Sequence, residues 1–190
     1  MQSETFLVLS KCFAPLSADS WEEIVSCEWP SFLEGLAADL PHDDASQHLL
    51  DTLVTPLCYE DKHTFAARHF TGGLPASAMP IESLYTRKMP DDLPEYYQEP
   101  ALYMKDLIAS LGCEIPDGFE TYPDHITLEL EVLALLLESD MDAARDFAFT
   151  RFNWLPEFGD KIKAFGAESS FYAAAIDAVI ALIDALREEK

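Results

Sequence analysis

The sequence predicts an all-α fold, a single domain over residues 1–190 built as an irregular bundle of about nine to eleven helices. Three observations lead there. The stretch from Ile126 to Leu137 is the most strongly apolar helix-period segment, with Ile126, Leu130, Leu133 and Leu137 at steps of three and four. Leu128, Val132, Leu135 and Leu136 widen its stripe until most of the circumference is apolar, which belongs in the middle of a bundle. No segment shows the alternation of a half-buried strand, and no repeat period emerges. Prolines and glycines cut the remainder into pieces of ordinary helix length.

Taken in order, Ser3 caps a first helix carrying Phe6, Leu9 and Phe13, which Pro15 ends. Ser20-Trp21-Glu22-Glu23 has the form of a capping box and opens a second helix to about Cys27, stopped by Trp29-Pro30. Phe32, Leu33 and Leu36 mark a short third helix before Pro41. Asp43 or Asp44 starts the next, with Leu49, Leu50, Leu53 and Val54 inward, and residues 59–70 continue as helix with Phe65 and Phe70 inward. After the connection described below, residues 99–111 form a helix closed by Gly112, and 113–121 form a loop. Pro123 fits a first helical turn and Asp124 faces the positive helix end, so the central helix is expected to begin near residue 122. Asp140 opens a helix carrying Ala144, Phe147, Ala148 and Phe152 that breaks near Trp154-Leu155-Pro156. A short helix over 157–165 ends at Gly166, and the last runs from Ser169 to about Glu188.

Between Thr71 and Pro100 the pattern changes. Gly72-Gly73, Pro75, Pro80, Pro90, Pro94 and Pro100 punctuate a long connection between two helical halves, with one helical turn expected at 81–87. Both a functional ordered loop and a flexible linker fit this composition.

Composition excludes several classes. The chain is 49% hydrophobic, so it buries a full core and is not disordered. Its 12 Lys+Arg against 35 Asp+Glu give a formal charge of -23. Nucleic acid and anionic membranes would be repelled and a basic partner is favoured, although a solvated acidic coat is the simpler account of the charge. Cys12, Cys27, Cys58 and Cys113 form no C-x-x-C pair, so reduced, mostly buried thiols are expected. The amino terminus lacks the pattern of a secretory signal and no uncharged stretch is long enough to span a bilayer, which places the protein in the cytoplasm without membrane insertion.

Catalytic motifs are missing. His42, His48, His63, His69 and His125 make no compact metal arrangement, since His125 and Glu129 on one helix face supply only part of a ligand set. Gly72-Gly73 lacks the lysine of a phosphate loop, and no Ser or Cys sits in a nucleophile motif. The sequence therefore predicts no catalytic residues, no metal and no cofactor. Asp124-His125 reads either as a cap and a loop hydrogen bond, or together with Glu120 as a polar spot at the mouth of a groove.

Three blocks carry a resemblance. Pro80-Ile81-Glu82-Ser83-Leu84-Tyr85 is similar to a proline-rich segment ending in Glu-Ser-x-Tyr. Glu120-Thr121-Tyr122-Pro123-Asp124-His125 followed by Glu129-Leu130 is similar to a Glu/Pro/Asp-His signature. Residues 149–158 with Trp154 and Pro156, then Phe171-Tyr172-Ala173, resemble closing aromatic elements. Together they resemble the TorD/DmsD/NarJ family of chaperones that mature molybdenum-containing redox enzymes, over about residues 80–186.

The resemblance implies a TorD-like helical chaperone without enzymatic activity. Its partners would be the twin-arginine signal peptide and the apo form of a molybdenum oxidoreductase catalytic subunit. Such a chaperone assists cofactor insertion and delays export, and is a monomer or a domain-swapped dimer. The implied peptide-binding residues are Glu82, Ser83, Tyr85, Glu120, Tyr122, Pro123, Asp124, His125 and Trp154. Glu82 and Asp124 would accept the arginines, and Tyr85 and Trp154 would supply apolar walls. Against these roles, such aromatics also serve as core and such acids as caps. Two other readings remain: a chaperone binding a mature redox subunit without reading a leader, and a helical hydrolase using Asp124 and His125.

Overall fold

The computed structural model describes residues 3–72, 76–86, 93 and 95–188. Among them are ten α-helices, and the only β-type pairing is one isolated bridge, Ile81 with His125. The expected all-α class and helix number are met. In order, the helices are α1 (Ser3–Phe13), α2 (Ala18–Glu23), α3 (Trp29–Asp39), α4 (Asp44–Leu53), α5 (Tyr59–His69), α6 (Glu99–Ser110), α7 (Ile126–Ser139), α8 (Met141–Arg151), α9 (Leu155–Lys163) and α10 (Ser170–Glu188).

Helix α7 is central, as its apolar circumference requires: nine of its residues are buried, and α1 lies along it. The other spine is α10, which packs against α4 from the first half and against α8 and α9 from the second. The two halves thus interleave around one apolar core. Part of that core is an aromatic cluster in which Phe13 and Phe70 pack against Tyr172, whose ring stacks on Phe65, and Phe158 packs against both Phe13 and Phe70. By length and composition the segment Gly166–Glu188 could cross a membrane, but 61% of its apolar window is buried inside this core.

Several boundaries differ from the sequence reading. Ser17, not Ser20, caps α2, accepting from the Ser20 N–H. Trp29-Pro30 does not stop a helix; a π-type turn at Ile24–Glu28 leads directly into α3, with Pro30 in its first turn. Pro156 likewise opens α9 instead of ending α8, because a proline without an N–H costs nothing where no intrahelical acceptor exists. Helix α7 begins at Ile126, not near 122, and its cap is His125, whose Nδ1 accepts from the Thr127 N–H. Val54, expected inward, is the exposed C-cap of α4. Only Cys12 is buried; Cys27, Cys58 and Cys113 lie exposed in the π-type turn, at the α5 cap and beyond α6, where side chains leave the core. Asp43 and Asp140 cap α4 and α8 as expected, and Gly112 takes φ 73° after α6.

Within the connection between the halves, Thr71, Gly72, Ala76, Thr86, Leu93, Glu95, Tyr96 and Tyr97 are exposed, but its middle enters the core. Ser77, Ala78 and Ile81–Tyr85 are all buried, with a short 3₁₀ turn at Glu82–Leu84. Gly73, Pro75, Arg87, Pro90 and Pro94 lie outside the described residues.

Helix α9 approaches α10 closely at Gly159, where a Cβ would stand 2.9 Å from Ile176 Cγ2. Ile176 is fully buried and has no room to retreat. Gly159→Ala is therefore expected to cost about 1–3 kcal/mol through overpacking, read as a lower urea midpoint with an unchanged slope.

Candidate functional site

The first two sequence blocks meet in space. Residues 80–83 run antiparallel to 124–126: Glu82 N–H donates to the Asp124 carbonyl at 3.0 Å and Ile126 N–H to the Pro80 carbonyl at 2.9 Å. The Asp124 side chain completes the junction, its Oδ2 accepting from the Ser83 N–H at 2.7 Å. Ser83 Oγ in turn accepts from the Gln98 N–H and so ties the start of α6 to the same point.

The third block closes this junction with charge. Arg151, at the end of α8, donates from Nη2 to Glu82 Oε2 at 2.7 Å and from Nη1 to Glu99 Oε2 at 3.3 Å. Its guanidinium also lies over the Tyr103 ring. Trp154 Nε1 donates to Glu129 Oε2 at 3.2 Å. Tyr85 stacks on Trp154 at 5.1 Å between centroids, and its hydroxyl donates to the Met79 carbonyl.

This is an interior cluster: Glu82 and Asp124 are 4% and 0% exposed, and Glu129 is 0% exposed. Its charges do not balance if all three carboxyls ionise beside one arginine. Burial raises the Glu82 pKa to about 7 even with Arg151 in contact, and burial with the neighbouring Glu82 raises Glu129 well above the carboxylate range. Glu129 Oε1 has no hydrogen-bond partner as an ionised acceptor, and it faces the Glu82 carboxyl. A proton on Glu129 eases the conflict, because its O–H then donates to Glu82, whose charge Arg151 compensates.

The expected arginine acceptors therefore differ from expectation. Glu82 is occupied by the chain's own Arg151, and Asp124 by a backbone N–H. Tyr85 and Trp154 are core aromatics, Ser83 and Pro123 are buried, and none of these faces solvent. Asp124 is not a helix cap, since it lies one residue before His125 and turns toward Ser83. Nor do Asp124 and His125 form a catalytic dyad: they engage different backbone N–H groups, Ser83 and Thr127. Arg151 and Glu129 were not among the expected site residues. A signal for Arg151 was present, a basic residue three before Trp154 in a chain with only 12 Lys+Arg.

Tyr122 and His125 fall elsewhere, lining a half-open groove of ≈ 650 Å³ beside the junction. Its walls come from the end of α1 and the following turn, from α5, from Met79–Pro80–Ile81 and from the 118–125 loop; Phe70, Met79, Tyr96, Phe119 and Tyr122 give it an apolar surface. His125 stands edge-on to Phe119 and is held neutral, its pKa lowered to about 3 by burial and by nearby Lys62. Glu120 is not a lining residue; it is exposed and accepts from the N–H of Gly118, which is one. The volume is within the roughly 300–1,000 Å³ of ligand pockets.

The proton in the cluster has a measurable consequence. Folded-state pKa values raised above the unfolded 4.5 mean that the folded chain holds a proton the unfolded chain has released, so stability falls as pH rises from 4.5 through about 7. Glu129→Gln reproduces the protonated carboxyl; it should flatten this decline and leave stability at pH 8 equal to or above that of the parent, measured by urea denaturation across pH. Arg151→Met strands Glu82 and should cost about 3–5 kcal/mol near neutral pH.

Comparison with known proteins matches these features to a family. The sequence pattern described as "Nitrate reductase delta subunit" fits residues 42–165, which contain the junction, the cluster and most of the groove. Chaperone protein TorD of Vibrio cholerae is 27% identical over 180 residues, covering 86% of this chain and 80% of that protein. Chaperone protein TorD of Vibrio parahaemolyticus is 26% identical over 198 residues, covering 95% and 90%. The chain belongs to the nitrate reductase delta subunit family, the TorD/DmsD/NarJ group of chaperones.

Proposed function

We propose that this chaperone matures a molybdenum oxidoreductase in the cytoplasm, holding the apolar part of its partner's twin-arginine signal peptide in the groove until cofactor insertion is complete. The observation that carries the proposal is the separation of polarity at this site. The groove interior is mostly apolar, while exposed carboxylates neighbour its lining residues along the chain: Glu95 is next to Tyr96, and Asp117 and Glu120 flank Gly118 and Phe119, Glu120 accepting from the Gly118 N–H. A leader that joins paired arginines to an apolar run matches both parts.

In this reading the expected site residues divide into two groups. Tyr122, His125 and Glu120 meet the peptide, whereas Glu82, Ser83, Tyr85, Pro123, Asp124 and Trp154 hold the frame on which the groove wall is built. The arginines are received by exposed carboxylates at the rim. The formal charge of -23 adds long-range attraction for a basic leader, which raises the rate of encounter.

Calorimetric titration with the twin-arginine leader of a candidate partner, and with the same leader carrying alanine at both arginines, tests the proposal. The first should bind and the second should lose about tenfold or more in affinity. Phe119→Ala with Tyr122→Ala should weaken both peptides, and Asp117→Asn with Glu120→Gln should weaken only the first. Equal affinity for the two leaders would transfer the function to binding of the mature subunit.

A further inference from the structure

The groove carries an ammonium group where its apolar character gives no reason for one. Among its described lining residues are Lys62, His63 and His125 but no Asp or Glu, in a chain holding 35 acidic residues. Lys62 is 4% exposed. Its Nζ donates to the Ala14 carbonyl at 2.7 Å and stands 5.1 Å from the centre of the Trp21 ring. Both partners are neutral, and Lys62 and Ala14 are both lining residues of the groove. Burial without a counter-charge pulls the Lys62 pKa down to about 8, and the same charge helps to suppress protonation of His125. An ammonium with three N–H donors has capacity left for an anionic acceptor in the groove.

We propose that the groove is also a binding site for an amphipathic carboxylate, an unbranched fatty carboxylate whose chain lies along Phe70, Met79, Phe119 and Tyr122 and whose head group pairs with Lys62. The charge pattern selects this ligand class. A cationic amphiphile would bring a second positive charge to Lys62, and a neutral one would leave the ammonium without its counter-charge. A carboxylate supplies that counter-charge in a desolvated setting, where an ion pair is stronger than at the surface. The site shares the groove interior with the apolar part of the proposed leader but does not rest on the leader-binding reading, because its head group pairs with Lys62 and it uses none of the rim carboxylates.

The test is calorimetric titration of the full chain, without any leader peptide, using sodium decanoate, decan-1-ol and decylammonium chloride, with the parent and with Lys62→Met. Decanoate should bind the parent with one site, about tenfold or more tighter than decan-1-ol, and decylammonium should bind weakest. Lys62→Met, with folding checked by circular dichroism, should reduce decanoate to the affinity of decan-1-ol while leaving decan-1-ol unchanged. Equal binding of decanoate and decan-1-ol by the parent overturns the proposal, and so does a folded Lys62→Met protein that keeps the decanoate preference. If Lys62→Met does not fold, the comparison within the parent decides alone. A leader that fails to bind beside decanoate that does would remove the proposed function and leave this site standing.

Discussion

One arginine in the interior sets the terms for the rest of the molecule. Arg151 reaches Glu82 with side chains only 10% and 6% exposed, so neither group has water to fall back on. Removing charges from water costs several kcal/mol per ion, which only close geometry and further hydrogen bonds offset. The chain therefore converges on this point from several elements: α8 supplies Arg151, the connection Glu82, α6 Glu99, and α7 Glu129, with Trp154 satisfying the second oxygen of Glu129. A proton resident on Glu129 is part of the same solution, because three ionised carboxyls beside one guanidinium would leave uncompensated charge in the core.

That cluster explains why a proline-rich connection can be part of the core. Pinned by Arg151 at Glu82 and by Asp124 at Ser83, residues 80–83 lie along the entrance of α7, and the isolated pairing of Ile81 with His125 follows. Met79, Pro80 and Ile81 are then fixed as one wall of the groove, with Tyr122 and His125 beside them. The motif residues act on the ligand surface through the backbone they hold. Most of the protein's excess charge lies outside this frame, on exposed carboxylates, while the groove is lined by apolar residues with Lys62, His63 and His125 among them.

Much of the fold was legible from residues whose chemistry is local. Asp43, Asp140 and Gly112 announce caps whatever surrounds them, and the apolar circumference of Ile126–Ser139 announces a central helix. Prolines were legible only in part. Pro30 and Pro156 mark helix boundaries, yet the same missing N–H that ends one helix is harmless in the first turn of the next, so direction is set by tertiary packing. The site was legible as a set of residues but not as roles. Glu82 and Asp124 read as acids available to a basic ligand because a sequence does not display the partner already facing them, here Arg151 and Ser83, distant along the chain. Lys62 was invisible for the opposite reason: α5 is a polar helix, and a lysine in it reads as solvated until Trp21 and Ala14 are seen around it.

A polar frame suits a binding protein better than an apolar one of equal stability would. Apolar contacts fill space but tolerate small slips, and replacing a buried ion pair by well-packed apolar side chains is often neutral or stabilising. Hydrogen bonds from Ser83 N–H, to the Asp124 carbonyl and from Arg151 are directional, and a slip of one residue would unsatisfy each of them in a place without water. The connection is thereby held to one register, and the groove wall it forms keeps its shape when empty. A site that is already formed loses less ordering entropy on binding. On the proposed reading, in which the partner segment is extended and flexible before capture, the protein side of the contact is the side that a fold can organise in advance, and the buried cluster is where this chain would do so.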